Sequence, residues 1–143
     1  MYTHNYEDLN PDRLQRLNKY RFMTLAQLQL IKPCWEDEPW TDFSSFAALS
    51  VPSLRLLQSA YCLTLPFDQL FTYDVNDFRY VTTLERWEKG LPVYRPSVGL
   101  DRDQKIIIED GRHRSVLNNY LGNEFTPITV NKFSEAAIEK LLR

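Results

Sequence analysis

In the first half of the chain apolar residues recur three and four positions apart, and prolines mark the interruptions. Asn10 before Pro11 predicts a helix start, because asparagine caps a first turn and proline at the first helical position gives up an amide that has no partner there. Leu14 and Leu17 begin its inner face. Thr24-Leu25-Ala26-Gln27 has capping-box spacing, and Leu25, Leu28 and Ile31 form an apolar stripe that stops before Pro33. Positions 11 to 31 therefore hold one helix or two. An acidic loop with two tryptophans follows at 33–40, then helices near 43–49 and 53–62, the second with Leu54, Leu57 and Tyr61 facing inward. Pro66 opens a short helical turn through Leu70.

The second half turns extended. Thr82-Thr83-Leu84-Glu85 is a second capping box, with Leu84 and Trp87 buried before Gly90 ends the helix. Positions 93–100 read as a strand interrupted by Pro96, which favours an edge. After a turn at 101–104, Lys105-Ile106-Ile107-Ile108-Glu109 is the clearest strand, its three isoleucines suited to cover on both faces. Asp110-Gly111 breaks it. A helix follows over 113–121, with Val116, Leu117, Tyr120 and Leu121 apolar and Gly122 as its stop, then a strand over 125–130 and a last helix over 135–142 capped by Ser134. No internal repeat or linker divides the chain. The reading is one α+β domain over 1–143, with a helical N-terminal part at 1–70 and a small mixed sheet with helices at 71–143.

Composition and charge narrow the function classes. At 143 residues, with 43% hydrophobic and 25% charged side chains, disorder and fibrous repeats are excluded. The absence of a long apolar run or signal-like start implies a soluble, cytoplasmic protein with no membrane partner. Cys34 and Cys62 cannot build a disulfide framework, lack metal-ligand spacing and have no activating cation beside them, so both are expected to be small packed side chains. His4 falls in an incidental N-terminal segment. The net charge of −2 hides an uneven distribution: residues 33–78 carry seven acids against Arg55 alone, whereas 79–114 carry eight bases against six acids. An acidic total disfavours non-specific DNA binding but leaves room for a local basic site.

That site is expected at Glu109-Asp110-Gly111-Arg112-His113-Arg114-Ser115. A strand followed by glycine and a helix start points unpaired amides outward, and two arginines placed there oppose the helix dipole unless an anion is held between them. Arg112 and Arg114 would grip phosphate, with Gly111 and Ser115 completing the cradle. His113 would donate or accept a proton, and Asp110 would hold an arginine or help bind Mg²⁺. The competing reading is a common Asp-Gly turn followed by solvated charge.

The run from Ile106 to Arg114, the apolar helix, Gly122 and Thr126-Pro127-Ile128-Thr129-Val130 resemble the ParB/sulfiredoxin superfamily, whose members carry an Asp-Gly-x-His-Arg motif between a strand and a helix. The short helix ending at Gly90 and Leu91-Pro92-Val93 agree with that order, so the resemblance spans about 79–131. It implies a ParB-like nucleotide-binding protein taking ATP, ADP or CTP with Mg²⁺, and Mg-dependent hydrolase, phosphotransferase or nuclease chemistry in which Asp110 and His113 are catalytic. Arg112 stands where sulfiredoxins have their reactive cysteine, which excludes that chemistry. The chain ends one short helix after its last strand, so a complete partition protein is not expected either. Related free serine kinases use an upstream acid as base, a place for Glu85 or Glu88. Small plasmid and phage members are regulators or inhibitors. A non-enzymatic regulator is the alternative here, docking on a basic partner protein through Trp35, Trp40, Phe43 and Phe46 beside Glu36, Asp37, Glu38 and Asp42; the competing reading packs those aromatics into the core.

Overall fold

The structure is a computed structural model and describes residues 10–61, 70–71 and 77–143. Among these it is a mixed α+β protein with six helices and two small sheets. The order is α1 (Pro11–Arg21), α2 (Leu25–Leu28), β1 (Trp35–Glu36), β2 (Phe46–Pro52), α3 (Ser53–Ser59), α4 (Asp77–Glu88), β3 (Val93–Tyr94), β4 (Ser97–Leu100), β5 (Ile106–Asp110), α5 (Arg112–Tyr120), β6 (Phe125–Asn131) and α6 (Glu135–Leu141).

Both N-terminal helices start as their caps require. The Asn10 side chain accepts a hydrogen bond from the Arg13 amide at 2.8 Å, and Thr24 and Gln27 close a reciprocal capping box. Two helices, not one, occupy 11–28. Leu17, Tyr20 and Leu28 are fully buried from them, and they join Leu56, Leu57, Leu84, Leu117, Ile128 and Ile138 in one core. The inner face of α3 differs from expectation: Leu56 and Leu57 are buried while Leu54 and Tyr61 are exposed. The expected turn at 66–70, Cys62 and His4 lie outside the described residues, apart from Leu70 itself.

The segment expected as a helix at 43–49 is instead strand β2. It pairs antiparallel with β6 over its whole length, from Phe46 opposite Asn131 to Pro52 opposite Phe125. Ala47, Ala48 and Leu49 favour helix locally, but seven paired positions on a neighbouring strand outweigh so weak a preference. The N-terminal part is therefore not purely helical, because it supplies an edge strand to the sheet of the second half.

The four-stranded sheet runs β2-β6-β4-β5, with β4 parallel to β6 and the other pairs antiparallel. Two edge expectations are reversed. β4 is interior: Pro96 precedes the strand, and its carbonyl still accepts from the Thr129 amide at 2.9 Å, so the missing N–H interrupts no ladder. β5 is the edge, and only one face is covered; Ile106 and Ile108 are buried whereas Ile107 is 37% exposed. Helix α4 begins at Asp77, not at the second capping box, and Thr83 sits mid-helix with its hydroxyl donating to the Arg79 carbonyl at 2.8 Å. Gly90 and Gly122 end their helices with φ of +70° and +83°.

Candidate anion-binding cleft

The edge strand β5 delivers the chain to the sheet's end at Asp110, and Gly111 turns it directly into α5. Gly111 has φ +92°, in the left-handed region. A Cβ there would also lie 2.8 Å from Cα of Pro96, so conformation and space both demand glycine. As the N-cap of α5 it offers no side chain to the first turn. The positive end of the helix is thus left without the usual side-chain cap.

This turn faces a cleft of about 900 Å³, within the roughly 300–1,000 Å³ typical of ligand sites. One wall is the chain from Ile108 to Arg114, and the other is α4 through Phe78, Arg79, Thr82 and Thr83. Asp110, Gly111, Arg112, His113 and Arg114 are brought together there. Arg112 is exposed, with no ion-pair partner among the described residues. Arg114 reaches back one helical turn to Asp110 at 3.5 Å, the outer limit of such a contact, and its Nε is buried with no hydrogen-bond partner. His113 is half-buried, its ring edge-on to Tyr80 with centroids 5.1 Å apart.

Three expected site residues fall elsewhere. Ser115 is fully buried, and its hydroxyl donates to the Gly111 carbonyl at 2.9 Å, so it braces the turn from inside and faces no ligand. Glu85 is bound by Arg16 through two hydrogen bonds of 2.9 and 2.7 Å. That pairing keeps Arg16 charged above its ordinary range. Glu88 accepts from the Tyr20 hydroxyl and lies 3.1 Å from Lys19, and burial together with that bond raises the Tyr20 phenol well above its usual value. Neither acid lines the cleft. Both tie α1 to α4.

The contribution of α4 is not legible in the local sequence. Arg79, Thr82 and Thr83 share a helix face by their spacing of three and four, which is a readable signal. What places that face opposite α5 is packing between distant segments, for which the local pattern has no sign.

The acidic aromatic segment divides. Trp35 turns inward against Trp87, centroids 5.3 Å apart, and Asp37 pairs with Arg95 at 3.2 Å. Trp40 and Phe43 remain 70% and 50% exposed. The Asp42 carboxyl lies below its ordinary range because the hydroxyl and amide of Ser44 donate to it. Among the described residues no three His, Cys, Asp or Glu side chains gather as a metal cluster, and no helix is long and apolar enough to cross a membrane. Comparison with protein-family models, curated proteins and solved structures finds no match to this chain.

Proposed function

We propose that this chain is a phosphate- or nucleotide-binding protein of ParB/sulfiredoxin type, taking ATP, ADP or CTP in the cleft between α4 and the turn at Gly111. One observation carries the reading: a helix start without a side-chain cap opens into the cleft beside Arg112 and the partnerless Nε of Arg114. The first-turn amides and the guanidinium groups would meet phosphate oxygens together, in a setting where cations otherwise oppose the helix dipole. Asp110 acts by orienting Arg114. His113 stands at the same wall, where its ring nitrogens would donate to or accept from a bound ligand. Asp110 would hold Mg²⁺, with phosphate and water as the remaining ligands. Binding is the function this geometry favours, and hydrolysis or phosphoryl transfer would be additional to it.

Thermal shift with ATP, CTP and ADP, each with and without Mg²⁺, tests the reading. A nucleotide at a thousandfold excess over its Kd stabilises by about 4 kcal/mol, a rise of several degrees in Tm. The Arg112→Ala, Arg114→Ala double variant should lose that rise, and an equal response from both proteins contradicts the proposal. The exposed Trp40 and Phe43 beside ionised Asp42 favour a second reading, a regulator that docks on a basic protein. Pull-down with wild type and Trp40→Ala separates the two, since identical recovery removes its support.

A further inference from the structure

The charges around the cleft are not balanced, and the imbalance bears on what kind of anion the site takes. Three arginines line it, Arg79 on α4 and Arg112 and Arg114 on α5, against the carboxylates of Glu109 and Asp110. Asp110 is spent on Arg114. Glu109 is drawn onto the neighbouring strand: its Oε1 lies 1.9 Å from where a Cβ on Gly99 would be, so the side chain occupies the space that glycine leaves open on β4. Arg79 and Arg112 remain, exposed and without an ion-pair or side-chain hydrogen-bond partner among the described residues. They stand on opposite walls of a space far larger than a single phosphate needs.

We propose that Arg79 is a specificity-determining residue that makes the cleft selective for a ligand with two linked phosphates, one at the start of α5 and the next against α4. This rests on the anion-binding reading above and adds the ligand class and the second wall to it. A single phosphate saturates the amides of α5 and Arg112 and leaves Arg79 in water. A diphosphate spans both walls, and each guanidinium then makes charge-assisted contacts with its own group. Arg79 lies near the N-terminal end of α4 and is exposed, outside the buried core, so its replacement disturbs no core packing. The exposed Thr82, one turn further along α4, adds a hydroxyl to the same wall.

Calorimetric titration of the full chain with inorganic phosphate and with pyrophosphate, at fixed ionic strength, tests this. Wild type should bind pyrophosphate about tenfold or more tightly than phosphate, the scale of one charge-assisted contact. Arg79→Gln should remove that advantage and leave phosphate affinity within about twofold, whereas Arg112→Gln should weaken both anions. If Arg79→Gln keeps the full preference for pyrophosphate while Arg112→Gln loses affinity, the role of Arg79 is overturned and the anion site stands. If wild type binds neither anion, or Arg112→Gln changes nothing, the anion site itself is overturned. Should Arg79→Gln fail to fold by circular dichroism, Arg79→Lys is read in its place, with a partial loss of the preference expected and no loss contradicting the proposal.

Discussion

The two ends of α5 handle polar groups in opposite ways. In its second half Asn118 is buried, and its amide donates to the Phe125 carbonyl and to Thr126 Oγ1, both at 2.9 Å; Thr126 in turn meets the Ser53 hydroxyl at 2.7 Å. That network is closed, and it joins α3, α5 and β6. At the N-terminus, where Arg112 lies six residues before Asn118, the helix has no side-chain cap, one guanidinium without an ion-pair partner among the described residues and another held by a 3.5 Å contact. Within a single helix, satisfied polarity marks structure and unsatisfied polarity marks the place where a ligand would complete it.

Substitutions at each end should separate the roles. The largest stability loss is expected at the turn that leads into α5: Gly111→Ala imposes left-handed strain and a clash with Pro96, costing about 3 kcal/mol in denaturant unfolding. It also displaces the arginines, so anion binding should fall with it. Next is the closed end. Asn118→Ala strips the donor from the Phe125 carbonyl and Thr126 and should cost about 2 kcal/mol, while phosphate affinity of the folded protein is unchanged.

A smaller effect belongs to the brace between α1 and α4. Tyr20→Phe deletes the hydrogen bond to Glu88 and should cost about 1 kcal/mol at neutral pH. The sign with pH follows from the raised phenol. Below the ordinary tyrosine range, near pH ~10, folded and unfolded chains both hold the proton and the stabilisation is complete. Above it the unfolded chain releases a proton that the folded chain keeps, so stability declines as pH rises. Urea unfolding at pH 8 and pH 11 should show that decline in wild type and a shallower one in Tyr20→Phe. The smallest stability change is expected at the open end: Arg112→Ala should alter unfolding by no more than about 0.5 kcal/mol although it weakens phosphate binding most. A larger loss there would place Arg112 with the structural groups and erase the contrast.

Where the sequence carried a local device, it was readable. Asn10-Pro11, the Thr24 capping box, and the glycines at 90, 111 and 122 each work through neighbouring backbone, and each is found acting there. The strand-glycine-helix turn was readable for the same reason, and with it five residues of the cleft. Partners brought by distant chain were not. Ala-rich β2 is a strand because β6 lies beside it; Pro96 is interior because β6 also reaches β4; Arg79 lines the cleft because α4 packs beside α5. Ser115 shows the same gap, since spacing alone does not distinguish a hydroxyl aimed at a ligand from one aimed at the preceding turn. The second capping box matched in letters only, because the helix had already begun at Asp77.

The central claim is that the start of α5 holds phosphate. The direct measurement is a ¹H–¹⁵N correlation spectrum of the labelled chain titrated with ADP. Saturable shifts concentrated on the backbone amides of Arg112, His113 and Arg114, abolished in the Arg112→Ala, Arg114→Ala variant, are the predicted result. Amides of that turn that stay unmoved through the titration, or shifts that persist in the double variant, would contradict it.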